Sequence, residues 1–213
     1  MNTAMNLGTP DRVPIMCQLS IGHMLLQLNV SPAEFWFDPE VFAHGLIALR
    51  ELYDFDGILI SLHGHNPHWR DEVQSRRMTD EGEKVLWKNG DKTICYLDDL
   101  PRQISSTERA KPDIESVRDA DLPPMLDYIP VSQDLHFRID PGHSFDIFKR
   151  VMAEVSAKFS VHGEITSPFD YFLDYFGYQE GLMALIENPE KSKQVLVHFT
   201  ALLKMLALEM CET

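Results

Sequence analysis

Positive charge is what this sequence has least of. Its 19 Lys and Arg stand against 33 Asp and Glu, a formal charge of −14. A nucleic-acid surface needs clustered cations against the phosphates. The one short basic pair, Arg76-Arg77, is bordered by acids, so nucleic acid is not an expected partner. Long apolar runs are missing too, none approaching the roughly 18 consecutive residues of a membrane span. The opening MNTAMNLGTPDRVPIM has no basic start leading into an apolar stretch, so no secretory leader is read there. A cytoplasmic protein without membrane attachment is the expectation. Cysteine is also scarce. Cys17, Cys95 and Cys211 lie far apart with no CxxC or HxxxH, which signals neither a disulfide framework nor a self-contained zinc motif. No repeat and no low-complexity tract interrupts the chain.

What is present suits a globular α/β chain. With 213 residues, 44% apolar and 24% charged, it can bury a sizeable core, and a single domain over 1–213 is expected. RVPIMCQ (12–18) reads as a first strand after a Pro-Asp turn, and a helix follows at 20–28. SPAEFW has Ser31 as N-cap, Pro32 at the first helical position and Glu34 at the third, a capping-box arrangement. From Pro39 to Tyr53, Phe42, Leu46, Leu49 and Tyr53 fall on one helical face. DGILISL is continuously apolar, as in a parallel strand covered on both sides. KVLWKNGDKTICYL places two strands around Asn89-Gly90, predicting a hairpin with a tight primed turn. The stretch KPDIESVRDADLPPML reads as a loop with one short helix. Helix, strand and helices resume with SFDIFKRVMAEVSAK, FSVHGEI and SPFDYFLDYFGYQEGLMALIENP, and a last helix runs from Pro189 to Glu212. Three strands followed by helices predict βα units and a parallel sheet.

The second strand ends in His63, His65 and His68, and the third carries His162 and Glu164 at shared parity. Imidazole is the common metal ligand and the acid–base group near neutral pH. Gly64 would allow the chain to turn freely between two of them. The bland alternatives are a solvated loop for the histidines and packing for the aromatics of SPFDYFLDYFGY, where Tyr171, Asp174 or Tyr175 could line a pocket.

PDRVPIMCQ, FDPEVFAHGLIALRELYDFDGILIS and VHGEITSPFDYFLDYFGYQEGLMALIENPEKSKQVLVHF resemble, in order and spacing, the uroporphyrinogen decarboxylase superfamily. That superfamily includes the porphyrinogen decarboxylase and cobalamin-dependent (corrinoid) methyltransferases. The likeness covers roughly residues 9–66 and 144–213. It implies an incomplete (β/α)8 TIM barrel: the first three to four βα units, with the hairpin-bearing excursion at 70–143 inserted between strands 2 and 3. Chemistry in such barrels sits at the carboxyl ends of the strands. Those ends would bring together Cys17, Gln18, His63, His65, His162 and Glu164.

The departures from the decarboxylase are chemical. Cys17 and His23 fall where it has substrate-gripping arginines, His63 where it has the aspartate that stabilises a cationic substrate, and Asp174, beside Tyr175, where it has a tyrosine. A substrate with eight carboxylates needs bidentate cations, which Cys cannot supply. The resemblance therefore implies the methyltransferase-like branch, acting on a small methylated substrate with a corrinoid protein as partner. Zinc in that branch is held by the later barrel half, which is not in this sequence; no ligand set is visible here. His63, His162 and Glu164 are the expected catalytic residues, and Cys17, Gln18, His23, His65 and Tyr175 the expected substrate contacts. Two alternatives stand beside this reading. One is a decarboxylase (lyase) of the uroporphyrinogen type, serving tetrapyrrole biosynthesis. The other is a non-catalytic binding or assembly subunit whose open sheet edge forms an oligomer.

Overall fold

The computed structural model describes residues 2–61, 64–107, 110–131, 135–155 and 158–213. In chain order the elements are α1 (Asn2–Met5), α2 (Ile21–Gln27), α3 (Pro32–Phe37), α4 (Pro39–Tyr53) and β1 (Gly57–Ile60). After a 3-10 turn at Trp69–Glu72 come β2 (Val73–Thr79), β3 (Gly82–Trp87), β4 (Lys92–Tyr96) and β5 (Arg102–Ile104). A second 3-10 turn at Asp119–Asp121 precedes β6 (Tyr128–Pro130) and β7 (His136–Arg138). The chain ends with α5 (Asp146–Val155), β8 (Ser160–Gly163), α6 (Pro168–Phe176), α7 (Tyr178–Glu187) and α8 (Pro189–Glu212).

The chain divides into two compact units, one of Met1–Ser106 with Asp140–Glu164, the other of Thr107–Ile139 with Ile165–Thr213.

In the first unit β1 and β8 pair in parallel, Gly57 opposite Ser160 and Ile60 opposite Gly163. Ile58 and Ile60 point to the buried side, and α4 and α5 pack on each other beside them. Phe42, Leu46 and Leu49 of α4 and Ile147 and Val151 of α5 fill that layer. The ends of α4 follow from its sequence. Asp38 caps the first turn by accepting from the backbone N–H groups of Glu40 and Val41, and Pro39 occupies the first position, where no donor is needed. At the other end Asp54 adopts the left-handed conformation (φ 53°), and Arg50 donates to the Phe55 carbonyl at 2.7 Å while stacking 3.5 Å over the Phe159 ring.

Residues 13–20, read from sequence as holding a strand, have no regular secondary structure. Asp56 fixes the first part of the stretch. Asp56 accepts from Ile15 N–H at 2.8 Å and from Arg12 at 2.6 Å, and its own N–H donates to the Ile15 carbonyl at 2.8 Å. Asp56 and, further along, Gln18 through Ser61 and Glu164 hold the chain alongside β1 without a strand being assigned to it. The Asp56 carboxyl lies below its ordinary pKa, chiefly through the Ile15 bond.

The excursion is larger than a hairpin. β2 to β5 form a four-stranded antiparallel meander. The turn at Asn89-Gly90 is a three-residue loop: Trp87 N–H donates to Asp91 O, Gly90 N–H donates to Trp87 O, and Gly90 has φ 92°. Neither Lys88 nor Asn89 has positive φ, which a primed turn would require. The glycine thus serves as the bulge after the turn. Ser31 caps α3 by accepting from Glu34 N–H at 3.2 Å, as the spacing predicts. The Glu34 carboxylate faces Arg70 and Arg76, at 3.4 and 3.5 Å.

In the second unit β6 and β7 form a short antiparallel pair. Tyr171, Phe172 and Phe176 of α6 meet Val195, Phe199 and Leu203 of α8 in one core. Ser192, buried, returns its hydroxyl to the Ala184 carbonyl and ties α8 to α7.

Candidate functional site

Strand alternation decides which side chains gather. Paired residues of parallel strands share a face, so Leu59 and Ser61 lie on the side of Ser160, His162 and Glu164, opposite the buried Ile58 and Ile60. The Glu164 N–H donates to the Ile60 carbonyl at 3.1 Å, carrying the register one step past β8 and setting Glu164 beside Ser61. One oxygen of the Glu164 carboxylate, Oε2, accepts from the Ser61 hydroxyl at 2.7 Å and from the Gln18 amide at 2.7 Å. Gln18 Nε2 also lies 3.3 Å from Ser61 Oγ. Three segments remote in sequence therefore meet at the carboxyl ends of the parallel strands. The hydroxyl and the amide together orient the carboxylate.

The other expected residues are placed as follows. His63 lies outside the described residues. His162, half-buried on β8, has its Nε2 2.6 Å from Ser160 Oγ, two residues back along the strand, and not on Glu164. Cys17 is exposed, its Sγ 3.6 Å from the Gln18 carbonyl oxygen. His23 of α2 pairs through Nε2 with the Tyr53 hydroxyl at 2.7 Å. His65 is 5% exposed and edge-on to Phe42. Desolvation lowers its pKa to about 3, so it is a neutral core imidazole at physiological pH. His68 is exposed, its backbone N–H donating to Asn66 Oδ1. Gly64 is a packing requirement, because a Cβ there would run into the carbonyl of His143 and the backbone of Ser144. Tyr175, in the second unit, is half-buried against Phe176 and Phe199 and donates its hydroxyl to the Asp121 carbonyl at 2.9 Å.

Ser61 and the partners of Asp174 escaped the sequence. Ser61 closes an apolar run, and its only signal is parity with Leu59. In the second unit the Asp174 carboxylate, 9% exposed, accepts from Tyr128 Oη at 2.7 Å and pairs with His136 Nε2 at 2.7 Å, with Lys111 Nζ at 3.7 Å. Burial works to raise its pKa; the bonds from His136 and Tyr128 outweigh it and hold the group below the ordinary range. Burial raises the pKa of Tyr128, and Asp174 adds to the shift. His136 and Tyr128 come from two three-residue strands with no sequence signature.

Among the described residues no three His, Cys, Asp or Glu side chains gather as a metal site. The donors that do meet are a carboxylate, a hydroxyl and an amide. That set is not the Cys and His set that zinc prefers. No family model matches the chain, and no curated protein or solved structure matches it.

Proposed function

We propose that this chain is the N-terminal portion of a (β/α)8 enzyme of the uroporphyrinogen decarboxylase superfamily, on its corrinoid-linked methyltransferase side. It would hold a small methylated substrate at the carboxyl ends of β1 and β8. The single observation that carries the reading is the Gln18–Ser61–Glu164 cluster, which lies where a barrel of parallel strands does its chemistry. In this reading Glu164 is the acid–base or orienting group, and Gln18 and Ser61 set its rotamer. His162, turned toward Ser160, lines the same face. A corrinoid partner would supply the methyl acceptor, and any zinc ligands would come from residues not in this sequence.

The test pairs the protein with a corrinoid protein and a panel of methylated thiols, ethers and amines, following the corrinoid's visible absorbance. Glu164→Gln should lower turnover by about 10²–10⁴-fold, the usual worth of a positioned acid or base. Full activity in that variant would remove Glu164 from the mechanism. Loss of carboxylates from uroporphyrinogen, with no methyl transfer, would move the protein to the decarboxylase branch.

A further inference from the structure

The Asn89-Gly90 pair is a turn signal, and it is also open to attack by its own backbone, since glycine has no side chain to shield its nitrogen. In that reaction the Gly90 nitrogen adds to Cγ of Asn89. The new C–N bond forms as the Cγ–Nδ2 bond breaks, and the Gly90 proton leaves with Nδ2 as ammonia. Water then opens the cyclic imide at either carbonyl, leaving aspartate or isoaspartate at 89. We propose that Asn89 is a self-modification site gated by its own turn: it stays an amide while the β3–β4 loop is closed, deamidates when the loop opens, and then weakens the closed loop.

Both reacting groups are held in the closed loop. The nucleophile is occupied, because Gly90 N–H donates to the Trp87 carbonyl at 2.9 Å. The carboxamide is turned forward onto Asp91: Asn89 Nδ2 donates to Asp91 Oδ2 at 2.8 Å, and Asn89 Oδ1 accepts from Asp91 N–H at 3.0 Å. Asn favours such side-chain turns onto the backbone two residues ahead. Asp91 is fixed in its turn by the residue that follows β5 by two places. Its Oδ1 accepts from Ser106 N–H at 2.7 Å and from Ser106 Oγ at 2.9 Å. The Ser106 N–H bond is the chief reason the Asp91 carboxyl lies below its ordinary range, so Asp91 is anionic at neutral pH. Deamidation therefore reverses the contact at its centre. Where an amide donated to Asp91 Oδ2, a second carboxylate would stand, and like charges at that distance repel. Isoaspartate also adds a carbon to the backbone of a loop that closes by Trp87 N–H reaching the Asp91 carbonyl at 2.9 Å. All of these groups lie between Trp87 and Ser106, so the gate needs nothing from elsewhere in the protein.

The full chain is incubated in mildly alkaline buffer, native or unfolded in urea, and conversion at 89 is followed by peptide mass and isoaspartate content. The native chain should convert at least about tenfold more slowly than the unfolded one, the factor a few net hydrogen bonds provide. Asp91→Ala should speed conversion in the native chain about three- to tenfold and leave the rate in urea unchanged. Should that variant lose its far-UV circular dichroism, Ser106→Ala, which removes only the hydroxyl bond to Asp91, carries the same comparison with a smaller acceleration. Asn89→Asp, the direct product, should keep the fold and speed hydrogen exchange at the Gly90 and Ser106 amides. Equal rates in native and unfolded chains would overturn the proposal. So would folded Asp91→Ala and Ser106→Ala chains that convert no faster than the parent, or unaltered exchange in Asn89→Asp.

Discussion

Replacing Glu83 by Gln should cost the protein about 2–3 kcal/mol. The side chain on β3 is 7% exposed. Its carboxylate accepts from Ser31 Oγ at 2.5 Å, from Ala33 N–H at 3.3 Å and from Arg76 Nε at 2.7 Å, with Arg76 NH2 at 2.6 Å. It joins the meander to the amino terminus of α3, where a negative charge also meets the helix dipole. Removing one partner of a buried ion pair typically costs about 3–5 kcal/mol, because the other charge is stranded. Arg76 is not wholly stranded here: its side chain is partly solvated, Glu34 lies 3.5 Å away, and the Trp69 ring lies under it at 5.2 Å. The cost should therefore fall below that range.

Urea unfolding, extrapolated linearly to water, measures it. The midpoint should drop with an unchanged slope. The acid limb supplies a second check. The bonds from Ser31 and Arg76 outweigh burial and hold the Glu83 pKa below its ordinary value. Its contribution is thus complete above the ordinary Glu value of about 4.3 and fades as pH falls through the folded value. The gap between parent and Glu83→Gln should close in acid. A difference under about 1 kcal/mol at pH 7, or a gap constant down to acid unfolding, would refute the role given to this carboxylate.

Other outcomes follow from the same geometry. His65 should show no titration of its ring protons by NMR between pH 5 and 8. Because its folded pKa is about 3 against an ordinary 6.5, the unfolded chain binds the extra proton between those values, so stability should rise with pH up to about 6.5 and then level off; a midpoint near 6.5 in the folded protein would contradict the burial. Asp174→Asn should lower stability at pH 7 by about 1–3 kcal/mol, the worth of charge-assisted bonds, and the deficit should shrink as acid protonates Asp174 in the parent. An unchanged denaturation midpoint at neutral pH would show that His136 and Tyr128 do not depend on it. Gly64→Ala, which sets a methyl against the His143 carbonyl, should destabilise by about 1–3 kcal/mol; tolerance at parental stability would mean the glycine is there only for its turn.

How far the sequence reached depends on what each element uses for its signal. α4 and α8 run over the residues that periodicity and the leading proline mark, because long amphipathic segments with a Pro at the first position announce both face and start. β2 gave no warning: VQSRRMT is largely exposed, and its pairing depends on β3 beside it more than on any apolar pattern of its own. β6 and β7, three residues each, are shorter than any period that can be read. The stretch at 12–18 misled in the other direction, since an apolar, β-branched run is equally suited to an extended segment pinned by side-chain bonds, here those of Asp56 and Gln18. At the histidines the failure is specific. Parity applies along a strand and lapses past its end, so His65 could be drawn as a rim residue although the chain folds it inward against Phe42.

The Gln18–Ser61–Glu164 cluster was reachable only by combining elements. Gln18 donates to Glu164 across 146 residues and Ser61 across 103, so neither contact has a local signature. What the residues do encode is direction. Glu164 ends a strand whose neighbour in register ends at Ser61, and both sit on the face that Ile58 and Ile60 do not use. A carboxylate at that point must have donors or pay the desolvation cost of a half-buried charge. The Gln18 amide and the Ser61 hydroxyl supply two such donors.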